Sequence, residues 1–422
     1  MVERVAMLST HGYFDPVPEL GKTDTGGQVV YVLRLAKALA HLGVKVDIYT
    51  RWFDPERPQI DPLPDCEDVR VIRMRAGPWE FIPKERIYGV LPELAQNMIE
   101  FMGAKGLRYD AFHGHYVDAG IVTLDVARTF SSPAFFTAHS WGALKRQMFN
   151  GKGDPEELER TFNFSLRIAE ETRILRSVVA QVVTTKEEVG IIERLYGVQP
   201  PRLEFIPPGV DIKMFHPLGN DEQETPVPLL TPYLFAAGRI AATKGYDLLV
   251  PAFARVLHEF PDMHLVIAGG SAREPDPEEI SVRRWIDQFT EKYGISSHVH
   301  MIGPVDHRAL PSYYRQAEML ILPSRRDSFG MTATEGMACE IPVVISQFAG
   351  VHENFTHGQD CLVVNPIETE QFAQTIMWLL RNPQSAKKMA RAGREHTCGE
   401  FSWNAVAGRS LALYDRASVT VP

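Results

Sequence analysis

The 422-residue sequence has only four cysteines, Cys66, Cys339, Cys361 and Cys398, and none stands at a metal-ligand or redox spacing. A disulfide framework and a zinc module are therefore not expected, and the four read as reduced thiols of a cytoplasmic protein. No apolar run approaches the roughly 20 residues that a membrane-spanning helix needs. The chain begins with a strand-like run, Met-Val-Glu-Arg-Val-Ala-Met-Leu, with no secretory leader, so no membrane partner is expected. Positive charge is in deficit, 44 Lys and Arg against 53 Asp and Glu for a net charge of −9, which argues against a nucleic-acid partner. Any site for a phosphate must then be built from a local cluster of basic residues. The phosphate loop Gly-x-Gly-x-x-Gly is missing, which argues against a dinucleotide oxidoreductase.

What is present is ordinary globular composition, 45% hydrophobic and 23% charged, at a length sufficient for two domains. Arg4–Ser9 reads as a buried strand, followed by a loop from His11 to Thr25. A helix then opens at Gly26-Gly27-Gln28, with apolar residues at Val29, Val32, Leu33, Ala36, Leu39 and Ala40. Strands are expected at 44–50 and near 69–74, 110–114, 134–138, 178–184 and 202–206, with helices between them. Such alternation predicts a parallel sheet covered on both faces. Residues 207–232 contain six prolines and a polar run, Gly219 to Thr225, and read as a linker. The alternation restarts at Tyr233–Ala237, with strands near 263–268, 298–302, 319–322, 342–346 and 361–364. The fold class is α/β: two doubly wound units in series.

The most informative stretch is Asp327-Ser-Phe-Gly-Met-Thr-Ala-Thr-Glu335, which follows one of these strands and opens a helix. A glycine-bearing loop at that junction aims amides and the positive end of the helix dipole at one point, which suits a phosphate. The flanking carboxylates repel phosphate and suit sugar hydroxyls, so together they suggest a nucleotide-sugar. The plainer alternative is an N-cap at Asp327 or Ser328 followed by a surface glutamate. In Gly238-Arg239-Ile-Ala-Ala-Thr-Lys244-Gly245, two cations at the lip of a strand can straddle a diphosphate, or can be a solvated surface pair. Gly26 and Gly27 can let the backbone approach a ligand closely, or can simply ease helix entry. Val266-Ile-Ala-Gly269-Gly270-Ser271 ends a strand on small residues and is a weak signal. His139, Ser140 and Lys145 also leave a strand. Lys84, Tyr116 and Arg167 are scattered, and spacing alone does not unite them.

These motifs, in this order, resemble retaining glycosyltransferases of the GT-B type, the group (glycosyltransferase family 4) that includes sucrose-phosphate synthases and sucrose synthases. The resemblance implies two Rossmann-like domains facing across a cleft, 1–212 for the acceptor and 213–400 for the donor, with segment 401–422 packing back on the first. It places Glu335 on the nucleotide ribose and Asp327, where the family carries glutamate, on the donor hexose. It places Arg239 and Lys244 on the leaving diphosphate. Gly26, Gly27, Phe329, Gly330, Met331 and Thr332 complete the donor site. Gly27, Gln28, Lys84, Tyr116, His139, Ser140, Lys145 and Arg167 match acceptor positions, His139 standing beside the reacting sugars. The implied reaction is transfer of glucose from UDP-glucose or ADP-glucose to fructose 6-phosphate. The implied chemistry needs no metal or other cofactor, in keeping with the lack of an Asp-x-Asp motif. The implied product, sucrose 6-phosphate, would pass to a separate sucrose-phosphate phosphatase. A sucrose synthase, a mannosylfructose-phosphate synthase, a glucan synthase or a non-catalytic nucleotide-sugar-binding regulator would share the donor motifs.

Overall fold

The computed structural model describes residues 1–18, 24, 26–151, 153–219, 222–229, 231–271 and 274–418. Parts of three expected segments, 19–23 and 25 of the first loop, 220–221 of the polar run and 419–422 at the carboxyl end, lie outside the described residues. The chain divides into two compact units, Met1–Gly209 with Trp403–Pro422, and Val210–Ser402.

The first unit is built on β1 (Arg4–Leu8), β2 (Lys45–Trp52), β3 (Ile60–Leu63), β4 (Cys66–Arg75), β5 (Ala111–His115), β6 (Ala134–Thr137), β7 (Ala180–Val183) and β8 (Leu203–Phe205). They form one sheet in the order β3-β4-β2-β1-β5-β6-β7-β8. Successive residues of a strand point to opposite faces. Thus Val5 and Met7 join one apolar cluster, while Ala6 and Leu8 join the other. Burial on both faces is why β1 reads as an unbroken apolar run rather than an alternating one. The helices Leu91–Ala104 and Val117–Phe130 cover one face. Helix Gly27–His41 covers the other, together with Val406, Leu413 and Tyr414 of the terminal helix Trp403–Ser418. That helix is tied down near its carboxyl end: the Val2 amide donates to Asp415 at 2.7 Å, and the Tyr414 hydroxyl meets His113 Nδ1 at 2.7 Å.

One strand differs from expectation. β3, Ile-Asp-Pro-Leu, is absent from the sequence reading and pairs antiparallel with β4, so the sheet is not wholly parallel. Pro62 masks it, because proline cannot donate to a ladder; here it lies at the sheet edge, where that is tolerated.

The second unit has β9 (Tyr233–Ala237), β10 (His264–Ala268), β11 (Val299–Gly303), β12 (Met319–Leu322), β13 (Val343–Ser346) and β14 (Leu362–Val364). All are parallel, in the order β11-β10-β9-β12-β13-β14. The linker reading needs correction. From Val210 onward the described part of this segment belongs to the second unit. Val210 and Phe215 are buried in its core, the Val210 amide donates to Phe401 O at 2.7 Å, and Glu224 accepts from the Arg315 guanidinium at 2.6 and 2.7 Å. Proline content here marks an irregular wrapping segment rather than a loose one.

Among the described residues no helix is long and apolar enough to cross a membrane.

Candidate active site

In an open parallel sheet, ligands bind where the strand order reverses, outside the carboxyl ends of the two strands that diverge there. In the first unit the chain winds outward from β1 to β2 and β4 in one direction and from β5 to β8 in the other. The switch point is β1/β5. In the second unit it is β9/β12. Each singled-out motif follows one of these strands or its neighbour.

In the second unit, Gly238–Gly245 leaves β9 and Asp327–Glu335 leaves β12, the strands being hydrogen-bonded neighbours. The two segments therefore meet. Lys244 Nζ donates to Asp327 Oδ2 at 2.5 Å, and the Thr243 carbonyl accepts from the Arg325 and Arg326 amides at 2.8 and 3.1 Å. Lys244 and Asp327, expected on different parts of the donor, are thus one ion pair. Arg239 is exposed and makes no ion pair or hydrogen bond among the described residues. The Asp327 backbone is itself fixed, its amide donating to Phe348 O at 3.1 Å and its carbonyl accepting from Gly350 at 3.0 Å. Gly330, φ +103°, caps helix Met331–Ala338; a Cβ there would lie 2.7 Å from Leu322, so the tight turn that aims the first-turn amides requires glycine. The Phe329 side chain is buried against Phe401, which leaves its backbone to face a donor. Glu335 is buried on the helix, Oε2 accepting from the Tyr314 hydroxyl at 2.8 Å and Oε1 lying 3.3 Å from His307 Nε2. Tyr314 and His307 were not singled out from the sequence; no local signal ties residues 21 and 28 positions away to Glu335.

In the first unit, Gln28 follows β1, Tyr116 follows β5, and His139 and Ser140 follow β6. Gln28 Nε2 donates to Ser9 Oγ at 3.1 Å and to the His115 carbonyl at 3.0 Å. No atom lies within 4 Å of where a Cβ would stand on Gly26 or Gly27, so both backbones face open space. Tyr116 and His139 hold φ of +78° and +55°. Side-chain-bearing residues in this region are strained, and such strain concentrates at functional sites.

Arg167 gathers the cluster. Its Nη2 donates to Ser140 O at 2.9 Å and to Ser140 Oγ at 3.3 Å, and its guanidinium carbon lies 4.7 Å from the Tyr116 ring centroid. Nε donates to Glu171 Oε1 at 2.9 Å, which leaves Nη1 without a partner among the described residues. Glu171 is itself 1% exposed and also accepts from the Gly142 amide and the Tyr196 hydroxyl. Burial works against the Arg167 charge, but Glu171 beside it outweighs that and raises its pKa. Glu171 was missed, although its i, i+4 spacing from Arg167 on helix Phe164–Ser177 was a visible signal. Lys145 Nζ lies 4.1 Å from the Phe162 ring centroid and 4.0 Å from Glu85 Oε1. Burial, opposed by Glu85 and reinforced by Arg167 and Lys84, holds its ammonium below the usual lysine value. A cation in that condition gains from an arriving anion. Lys84 is more committed than expected, with its ammonium on Asp24 and its amide donating to Asp24 Oδ2 at 3.1 Å.

His139 Nε2 lies 3.0 Å from His115 Nδ1. Burial, then the charge of His11, pushes its pKa down to about 3, so the ring is neutral near pH 7. Among the described residues no three His, Cys, Asp or Glu side chains are placed to hold a metal ion.

Asp327→Glu is expected to keep turnover within about tenfold, ~1.4 kcal/mol of barrier, because the longer carboxylate can still reach Lys244. A fall beyond a hundredfold in steady-state rate shows a site built for the shorter side chain.

Residues 25–213 match the family model Glycosyltransferase Family 4 and residues 220–396 match Glycosyl transferases group 1. Mannosylfructose-phosphate synthase of Agrobacterium fabrum is 34% identical over 419 residues, covering 98% of this chain and 91% of that one. The chain belongs to glycosyltransferase family 4. Another family relative, D-inositol 3-phosphate glycosyltransferase of Corynebacterium diphtheriae, is 31% identical, covering 99% of this chain and 96% of that one. Among solved structures, sucrose-phosphate synthase of Thermosynechococcus elongatus superposes with a TM-score of 0.75 at 29% identity, covering 98% of each chain. The two units are therefore the paired Rossmann-like domains of the GT-B fold, and this family 4 member is a glycosyltransferase.

Proposed function

We propose that this glycosyltransferase moves glucose from UDP-glucose or ADP-glucose to the sugar ester fructose 6-phosphate, forming sucrose 6-phosphate with retained anomeric configuration. The observation that carries the acceptor is the gathering of Ser140 and Tyr116 around Arg167 beyond the carboxyl ends of β5 and β6, with Lys145 on the helix that follows β6. A phosphate there would gain charge-assisted hydrogen bonds worth roughly 1.5–3 kcal/mol each. The three relatives named above all carry a sugar or cyclitol phosphate in their names, which favours a phosphorylated acceptor.

On the donor side, Arg239 and Lys244 take up the charge that grows on the departing diphosphate, a transition-state role. The first-turn amides of helix Met331–Ala338 and the backbone around Phe329 hold the diphosphate. Glu335, fixed by Tyr314, accepts from the ribose hydroxyls, and Asp327 accepts from the hexose. Neutral His139 can hydrogen-bond a sugar hydroxyl without adding positive charge beside an oxocarbenium-like centre. No step in this scheme needs a metal.

A second reading, a mannosyl donor with the same acceptor class, is favoured by the 34% identity to mannosylfructose-phosphate synthase. Mass spectrometry of products from fructose 6-phosphate with UDP-glucose, ADP-glucose and GDP-mannose in parallel decides between them; no disaccharide phosphate from any donor ends both. Lys145→Ala is expected to raise KM for fructose 6-phosphate by about 10–100-fold, the loss of one charge-assisted contact, with UDP affinity unchanged by calorimetry. The reverse pattern would move the acceptor phosphate to the other unit.

A further inference from the structure

The first-unit cluster is electrically balanced. Its cations are Lys84, Lys145 and Arg167, and the carboxylates set against them are Asp24, Glu85 and Glu171; the nearby buried Asp118 is bonded to Thr10 and His11 instead. Arg167 is paired with Glu171 through Nε at 2.9 Å, and Lys84 with Asp24 through two hydrogen bonds. Asp24 is almost wholly buried, and although burial alone would raise its pKa, the Lys84 bonds outweigh that and lower it. Those two pairs are built in. Glu85 is different. Its Oε1 lies 3.6 Å from Lys84 Nζ and 4.0 Å from Lys145 Nζ, and it accepts no hydrogen bond among the described residues. Its side chain is 21% exposed, on a turn held by the buried Ile87.

A carboxylate between two ammonium groups, bonded to neither, occupies the place a phosphoryl group would take. With Glu85 in position the cluster sums to zero, and an arriving phosphate monoester would bring about two uncompensated negative charges. Removing one carboxylate from the space between the lysines halves that excess. Glu171 cannot leave without stranding the buried Arg167, and Asp24 cannot leave without breaking both of its bonds to Lys84. Glu85 can turn toward solvent.

We propose that Glu85 is a resident competitor for the acceptor's phosphate: it neutralises Lys84 and Lys145 in the free protein and is displaced by the phosphoryl group. The inference rests on the phosphorylated-acceptor reading above and assigns Glu85 a role in setting acceptor affinity. Glu85 accordingly weakens binding of every phosphate monoester alike and leaves unphosphorylated sugars untouched.

The test is calorimetry on wild type and Glu85→Gln with inorganic phosphate, fructose 6-phosphate and fructose, and with UDP as a check that folding is intact. Glu85→Gln is expected to tighten both phosphate and fructose 6-phosphate about tenfold, which corresponds to ~1.4 kcal/mol, with UDP and fructose unchanged. If phosphate tightens but fructose 6-phosphate binds neither protein, the role of Glu85 stands and the acceptor reading falls. If fructose 6-phosphate binds both proteins equally, the acceptor reading stands and the competitor role is overturned. Weaker binding of phosphorylated and plain fructose alike also overturns it, because Glu85 would then be contacting sugar hydroxyls.

Discussion

Replacing Lys244 by alanine should lower kcat by roughly a hundred- to a thousandfold, the 2.7–4 kcal/mol typical of removing one preorganised group from a developing anion. KM for the nucleotide-sugar should change little, because the interaction strengthens as the diphosphate leaves rather than when the donor binds. The structure sharpens this expectation. Lys244 is held at 2.5 Å by Asp327, on a loop whose backbone is fixed to Phe348 and Gly350, so its ammonium is preorganised before any donor arrives. Folding should be affected less, since Lys244 is partly exposed and one such pair contributes on the order of 1 kcal/mol. Unchanged turnover in single-turnover kinetics would remove Lys244 from the chemistry and leave Arg239 as the group that meets the leaving diphosphate.

Acid should destabilise the first unit well above the pH at which carboxylates titrate. His113 and His115 stack at 4.4 Å in the interior of β5. His113 spends both nitrogens on neutral hydroxyls, Tyr414 at 2.7 Å and Thr137 at 2.8 Å, while His115 Nε2 is buried with no partner among the described residues. Burial pushes the His113 pKa down to about 3 and that of His115 well below its usual value, with neighbouring histidines adding to the effect. Both rings are then neutral when folded and take up protons near pH 6.5 when unfolded. The stability they confer is complete above that pH and is lost as pH falls from about 6.5 toward 3. The slope is roughly 1.4 kcal/mol per pH unit for each ring, so the two together remove about 4 kcal/mol between pH 7 and pH 5. Urea-unfolding midpoints of the first unit, followed across that range, check this. His139 is a third such ring, so His113→Asn should remove about a third of the slope; a slope that survives intact would assign the acid sensitivity to other groups.

How much of this was legible beforehand depends on sequence separation. The doubly wound architecture was legible because a strand buried on both faces must be a continuous apolar run, as in Val5–Leu8 and Met319–Leu322. The motif positions were legible for a related reason. A glycine turn between strand and helix places Arg239 and Lys244, or Asp327 and Glu335, at a carboxyl edge whatever the strand order. β3 was not legible, because Pro62 breaks the strand signal, and the segment from Val210 was misjudged because proline content reports irregularity and says nothing about burial.

By itself, then, the chain's residue order determined two parallel-sheet units with a phosphate-suited loop at the end of particular strands, since those features rest on contacts within a few residues. Only the tertiary structure decided which charges are already spent. Lys84 meets Asp24 across 60 positions, Lys244 meets Asp327 across 83, and Glu335 meets Tyr314 from a neighbouring helix. An ion's partner is set by distance in space, and strand order alone brings those loops together. The same separation hid the role of Glu85: Lys84 precedes it in the chain, but Lys145, far along the sequence, reaches within 4.0 Å of it only in the fold.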